Sequence, residues 1–416
     1  MKKIIVNGGR SLSGETSVHG AKNAVLPILA ATVLCSGVSV IEGCPHLSDV
    51  EHSIEILRHL GCIVKWEDNV VTVDSTGIKC SKIPEELMLK MRSSITFLGP
   101  LTVSCGTATM CAPGGCELGP RPIDLHIKAF KKMGIDVTEQ GGFIKTCVQK
   151  LEGTQIHLDF PSVGATENVM MAAVLAEGKT TITNAAKEPE ITDLEDFLNK
   201  MGASVSGAGT DVIVIEGVKK LHGAHHRVIP DRIVAATYLC AAIITGGSIH
   251  LRDVEPLHMQ AVLSTLKDVG ANVCTKYGSI LLRAPKQILP VDMIRTMPHP
   301  GFPTDSQAPV MAMLTKSSGT SIVVENIFEN RFKHCEELCK MGANIKCHGR
   351  VAIVQGVREL SPAAVSAMEL RGGAALVIAA LAANGQSVIS GYKHIARGYQ
   401  NITEDLKALG ADICIK

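Results

Sequence analysis

Cys116 lies in the stretch Ala112-Pro113-Gly114-Gly115-Cys116-Glu117-Leu118-Gly119-Pro120-Arg121-Pro122-Ile123-Asp124-Leu125-His126, where a thiol, glycines and prolines occur together as nowhere else in the chain. Glycines ahead of the thiol free the backbone and let a ligand approach it closely. Two prolines flanking Arg121 stiffen the half that carries the cation. A thiol titrating near about 8.5 is mostly protonated at neutral pH and can deliver a proton. A neighbouring cation lowers that value and makes the same group a nucleophile. The residues leave both chemistries open, on a loop that reads as a lid over an anionic substrate.

Cations recur at matched places. Charged or polar residues stand at the start of six apolar helix-like segments: Lys22-Asn23, Arg92-Ser93, Thr166-Glu167, Asp231-Arg232, Asp305-Ser306 and Glu369 to Arg371. A helix N-terminus offers free N–H groups and a positive dipole end, which suits phosphate and carboxylate. Lys22, Arg92, Arg232 and Arg371 work against that dipole, so they are not expected to be caps. A second set, Arg121, Arg331 and Arg397, precedes Gly134, Gly342 and Gly410 by 13, 11 and 13 residues. The planar fork of arginine favours carboxylate and phosphate. Together these groups predict a site for substrates carrying several negative charges.

The elements that must position them repeat six times. A helix ending in glycine and followed by a strand occurs around Gly61, Gly134, Gly202, Gly270, Gly342 and Gly410, at spacings of 73, 68, 68, 72 and 68. Each glycine fits the left-handed residue that terminates a helix. Before each such helix come a strand and an apolar helix, and after the glycine strand comes a second strand, such as Val71-Thr72-Val73. In the fifth copy the apolar helix is expected over Ala308 to Leu314, with Pro309 in its first turn. The sixth copy stops at Lys416 without its last strand, and Ile4-Ile5-Val6 resembles the missing piece. The expected domains are therefore 22–229, carrying the Cys116 loop, and 1–21 with 230–416, with the substrate cleft between them. Two sets of three long repeats favour closed domains over an open solenoid.

Bulk properties narrow the function. With 416 residues the chain exceeds one ordinary core, and with 46% apolar but 3% aromatic residues that core is aliphatic. A net charge of +1 supplies no global field for nucleic acid or membrane. Fourteen cysteines without regular framework spacing suit a reducing cytoplasm, with Cys62, Cys147, Cys274 and Cys414 expected as buried strand residues. The longest apolar stretch, Ala24 to Cys35, is too short for a membrane span and contains Pro27. Neither a phosphate-binding Walker loop nor a strand-linked dinucleotide fingerprint is present. His334-Cys335 with Cys339 lacks the further ligands that zinc needs, and Cys347-His348 reads as part of a hairpin. The oligomeric state is not legible.

The Cys116 loop, with Gly20-Ala21-Lys22-Asn23, Ser162-Val163-Gly164-Ala165-Thr166, Phe302-Pro303-Thr304-Asp305, Phe328-Glu329-Asn330-Arg331-Phe332 and Ala396-Arg397-Gly398-Tyr399, resembles the UDP-N-acetylglucosamine enolpyruvyl transferases of peptidoglycan synthesis. The similarity runs through essentially the whole chain. It implies an α/β fold of two inside-out α/β barrel domains, each of three repeats of about 70 residues, shared with the sister enzyme that makes 5-enolpyruvylshikimate 3-phosphate. It implies transfer of the enolpyruvyl group of phosphoenolpyruvate to the 3′-hydroxyl of UDP-N-acetylglucosamine with release of phosphate, and neither cofactor nor metal. By the same resemblance Cys116, Asp305, Lys22 and Arg397 are catalytic. Lys22, Asn23, Arg121, Arg331, Arg371 and Arg397 bind phosphoenolpyruvate. Asn23, Arg92, Arg121, Pro122, Ile123, Asp124, Leu125, Ser162, Val163, Gly164, Asp305 and Ile327 hold the nucleotide sugar. Cys116 is the expected proton donor, with covalent capture of phosphoenolpyruvate or an electrophile as its second role. Two positions depart from the family pattern: Glu369 stands where aspartate is usual, and Val234 where an acid is usual. They motivate an alternative, a divergent paralogue that binds the nucleotide sugar without turnover.

Overall fold

A computed structural model describes residues 2–111 and 123–416. The chain divides into two compact units, one of residues 20–111 and 123–229, the other of residues 2–19 and 230–416.

Each unit is built around three apolar helices. In the first these are Lys22–Ala31, Leu98–Cys105 and Val163–Ala173; in the second, Arg232–Ile244, Thr304–Leu314 and Leu370–Ala382. The latter three pack on one another. Arg232–Ile244 is buried at every position after Arg232, which is where a helix apolar on all sides belongs. With so few aromatics, alanine, valine, isoleucine, leucine and methionine fill both cores.

Among the described residues each unit surrounds its helices with three four-stranded sheets of one plan. In one of them, Lys82–Ile83 runs parallel to Thr107–Cys111, which pairs antiparallel with Phe143–Val148, and that strand pairs with Ile135–Gln140. Strands alternate inward and outward. In Val351–Gln355, Ala352 and Val354 are buried and their neighbours exposed. Amphipathic helices such as Ser48–Leu60 occupy the outer layer.

Both rings close. His225–Arg227 returns to pair with Val38–Glu42. In the other unit Ile4–Gly8 inserts antiparallel between Gly385–Ser390 and Asp412–Ile415, with Ile4 opposite Ile389 and Ile415. Ser13–Ser17 then pairs with Ser248–Arg252. The six repeat glycines have φ between 83° and 106°, the left-handed region in which a Cβ is costly.

Two expectations are corrected. The fifth inner helix begins at Thr304, so Pro309 is its sixth residue rather than part of its first turn. Pro27 occupies the same place in Lys22–Ala31. Burial on all sides overrides the local cost of proline, and what is lost is one helical donor in each case. Cys147 and Cys274 are exposed, because they fall on the outward phase of their strands, whereas Cys62 is buried. No described helix is long and apolar enough to cross a membrane.

Candidate active site

In the unit of residues 2–19 and 230–416, the starts of the three inner helices carry Asp231, Asp305 and the pair Glu369 and Arg371. Asp305 is the second residue of its helix and accepts from Arg331 Nη2 at 2.6 Å and from Arg371 Nη2 at 3.2 Å. One carboxylate thus fixes two guanidiniums drawn from different repeats. Both arginine side chains are 2% exposed and Asp305 is 27% exposed, so the open side of the triad is the carboxylate side. Burial opposes the charge on Arg371, but Asp305, with Tyr399 and Asp231 behind it, outweighs that and raises its pKa. The guanidinium of Arg371 lies 5.6 Å from the Tyr399 ring centroid, and that of Arg331 lies 5.4 Å from the Phe328 ring. Tyr399 is held in turn by a 2.7 Å hydrogen bond with Thr237.

Arg331 Nε, Arg371 Nε and Arg371 Nη1 are buried without an acceptor among the described residues. Buried donors are normally satisfied, and leaving one unpaired costs about 1–3 kcal/mol. Three such donors on two cations favour an oxyanion held by several N–H groups.

The loop before Arg331 is set by Glu325, a residue that sequence reasoning passed over. Its Oε1 accepts from Thr296 Oγ1 and from the backbone N–H groups of Ile327 and Phe328, at 2.9, 2.9 and 3.1 Å. Its Oε2 accepts from Thr304 Oγ1 at 2.9 Å. Glu325 therefore ties Ile327 to the first residue of the Asp305 helix. Pro309 lacks the N–H that would bond the Asp305 carbonyl, and Pro27 likewise lacks the partner of the Asn23 carbonyl. Arg397 is half-buried in the turn after Tyr392–Ile395, two residues before Tyr399.

The two departures acquire physical roles. Glu369 is the N-cap of Leu370–Ala382, accepting from the N–H groups of Arg371, at 2.9 Å, and Gly372. A Cβ at Gly372 would stand 2.5 Å from Glu369 Oε1 and 2.8 Å from His334 Cβ, so glycine makes room for the longer acid. Val234 points into the apolar core, while its N–H is capped by Asp231 Oδ1 at 3.0 Å. His334, buried beside these groups, has its pKa lowered to about 4 by burial and by Arg331, against the opposing pull of Glu369.

In the unit of residues 20–229, Lys22 opens its helix and its Nζ meets Asp49 Oδ2 at 2.6 Å, both side chains being buried. Asp49 was not anticipated from sequence. Asn23 follows at the second helical position and is half-buried. Ser162 is an N-cap whose Oγ accepts from Ala165 N at 3.4 Å, with Val163 and Gly164 as the first helical residues. Arg92 opens a 3₁₀ turn, Arg92–Phe97, and Ile123 precedes the helix Asp124–Lys132, which contains Asp124 and Leu125.

One side chain ties these segments together. Asn168 donates to His126 Nδ1 and to Ile95 O, both at 3.1 Å, and its Oδ1 accepts from Gly99 N at 2.8 Å. The signal was the polar run Thr166-Glu167-Asn168 inside an apolar helix, all three of them buried. His126 has its pKa lowered to about 4, first by burial, with Arg92 adding to the effect and Asp124 opposing it. Glu167, buried beside Glu190 and Glu188, has its pKa raised well above the ordinary carboxylate range by burial and by those two acids.

The structure thus brings Asp305, Arg331 and Arg371 into contact, with Ile327 on the adjoining loop. It connects the Arg92–Phe97 turn, at Ile95, with His126 and Gly164 through Asn168, and it gives Lys22 an acidic partner. Cys116, Arg121 and Pro122 lie outside the described residues.

Against known proteins, residues 6–406 match the family described as EPSP synthase (3-phosphoshikimate 1-carboxyvinyltransferase). The chain is 52% identical over 413 residues to UDP-N-acetylglucosamine 1-carboxyvinyltransferase 2 of Caldanaerobacter subterraneus subsp. tengcongensis, covering 99% of each. It is 48% identical over 413 residues to UDP-N-acetylglucosamine 1-carboxyvinyltransferase 1 of Carboxydothermus hydrogenoformans, covering 99% of this chain and 98% of that one. Among solved structures, the enolpyruvyl transferase NikO from Streptomyces tendae superposes with a TM-score of 0.90 at 24% identity, covering 100% of this chain and 99% of that one.

Proposed function

The chain belongs to the EPSP synthase family of carboxyvinyltransferases, and from that membership and its full-length relatives we infer that it is a UDP-N-acetylglucosamine 1-carboxyvinyltransferase. It moves the enolpyruvyl group of phosphoenolpyruvate to the 3′-hydroxyl of UDP-N-acetylglucosamine and releases phosphate, in the making of peptidoglycan precursors. The geometric observation that supports this best is the pair Arg331 and Arg371, fixed by Asp305 with buried N–H donors unpaired. We assign the cytoplasm as its location, small molecules as its partners and no cofactor to the reaction.

Phosphoenolpyruvate carries a carboxylate and a phosphate on one small carbon frame. In this reading Arg331, Arg371, Arg397 and Arg121, with Lys22 and Asn23, hold those two anions and stabilise charge as phosphate departs. The nucleotide sugar is held by Asn23, Arg92, the segment Arg121 to Leu125, Ser162 to Gly164, Asp305 and Ile327. Ser162 and the free N–H groups after it suit a phosphate oxygen. Addition needs a proton on the vinyl carbon, and Cys116 supplies it. The sugar hydroxyl gives up its proton as its oxygen bonds to the central carbon. Loss of one proton from the resulting methyl group then expels phosphate and restores the double bond.

Asp305 is the group assigned to the hydroxyl. Both of its oxygens already accept from guanidinium groups, and opposite charge favours the ionised carboxylate. Its role in this reading is therefore mainly to orient the hydroxyl and to receive its hydrogen bond. Lys22, held by Asp49, is a fixed cation rather than a proton carrier.

Acceptor choice tests the assignment. With phosphoenolpyruvate and an equimolar mixture of UDP-N-acetylglucosamine and shikimate 3-phosphate, mass spectrometry should find the enolpyruvyl group on the nucleotide sugar. Product on shikimate 3-phosphate alone contradicts the reading, and nucleotide-sugar binding without product points instead to the non-catalytic paralogue that Glu369 and Val234 motivated.

A further inference from the structure

The three inner helices of residues 20–229 begin with the groups assigned to the reaction and end at a concavity the reaction does not use. Its volume is about 640 Å³. Leu34 and Cys35 at the end of the first helical run, Val103 and Cys105 at the end of the second, and Leu175 just after the third contribute to its wall. Lys22, Arg92 and Ser162 stand at the opposite, N-terminal ends of the same three runs.

The lining is of mixed character but one sign. Lys79, Lys219 and Lys220 border it and, among the described residues, no aspartate or glutamate does. All three lysines are exposed and, among the described residues, none of them makes an ion pair. In a chain of net charge +1, three unpaired cations on one rim are a local feature. Deeper in, Leu34, Val103, Leu175 and Leu221 supply apolar wall, and Cys35 and Ser75 are buried there. Cys80 and Cys105 are partly exposed and line the same space.

We propose that this concavity is a second ligand site, for an organic anion made of an apolar chain ending in a carboxylate. The size is in the range of small-molecule pockets. The helix C-termini beneath present carbonyls, which repel an anion at the floor. The carboxylate therefore sits at the rim among Lys79, Lys219 and Lys220, and the chain lies against the leucine and valine wall. Two thiols in the wall make occupancy readable, since a bound chain shields them.

Decanoate below its micelle concentration is the probe. N-ethylmaleimide labelling of the intact protein is followed peptide by peptide by mass spectrometry, with the exposed Cys274 as reference. At several times its Kd, decanoate should slow labelling of Cys80 and Cys105 about fivefold or more and leave Cys274 unchanged. Equal concentrations of 1-decanol should protect less than about twofold, because the head-group charge is missing. Lys219→Gln with Lys220→Gln, on the surface and away from the reaction, should abolish protection by decanoate. No slowing with decanoate, equal slowing with decanol, or protection retained in the double variant would each overturn the proposal.

Discussion

Asp305 holds two cations through one carboxylate, so its replacement removes more than one hydrogen bond. Asp305→Asn keeps the shape but removes the counter-charge that Arg331 and Arg371 share, and kcat should fall at least about hundredfold with native circular dichroism. Near-wild-type turnover would remove Asp305 from the reaction. Cys116→Ser should likewise lose most activity while folding normally, since a hydroxyl is a far weaker acid than a thiol. The buried histidines give a pH prediction. His126 and His334 have pKa values of about 4 in the folded chain, against about 6.5 when unfolded. Below pH 6.5 the unfolded chain takes up protons that the folded one refuses, so stability falls as pH drops from 6.5 towards 4. The loss is roughly 2 kcal/mol per histidine at pH 5. Urea unfolding at pH 7.5 and 5.0 should show it, with a smaller loss in His126→Asn; identical losses in the two proteins contradict the assignment. At this scale the residue types were legible and their partners were not. Arg331 and Arg371 stand out in the sequence, but nothing local says that both bond Asp305, since one contact spans 26 residues within the fifth repeat and the other reaches into the sixth. Glu325 was missed because an isolated polar residue carries no spacing signal, and Asn168 because its polar run was read only at its first two residues, Thr166 and Glu167.

Elements were more legible, because glycine and hydrophobic period act locally. The six repeat glycines were read as helix terminators, and each adopts the positive φ that such a role requires. Gly342 isolates that effect: a Cβ there would meet nothing nearer than Ser361 at 3.9 Å. Gly342→Ala should cost about 1–2 kcal/mol from backbone strain alone, with activity per folded molecule retained. An unchanged Tm would contradict the strain argument. Glu369→Ala removes a cap that satisfies two N–H groups and should cost about 1 kcal/mol, measured by the same unfolding curves. The start of Thr304–Leu314 was misread because Pro309 looked like a helix boundary. Packing on every face kept the helix going, and that information lies in the other two inner helices rather than in the window around the proline.

At the scale of the molecule, the incomplete sixth repeat was the informative feature. Ile4–Gly8 pairs on both edges within a sheet whose other strands lie more than 350 residues later, so the unit of residues 2–19 and 230–416 depends on both ends of the chain. Deleting residues 2–8 exposes two strand edges. Hydrogen exchange should then lose protection at Gly385–Ser390 and Asp412–Ile415 while Val38–Glu42 stays protected; unchanged exchange at the first two would contradict this account of the closure. Fold and family follow from repeats, motifs and full-length relatives, whereas the chemistry rests on groups placed by long-range contacts. The most direct test is phosphate release by the purified, folded protein given phosphoenolpyruvate and UDP-N-acetylglucosamine. Steady release that needs both substrates, matched by enolpyruvyl-sugar product, is the expected result. No release above background, with nucleotide-sugar binding intact, would contradict the assignment as a transferase.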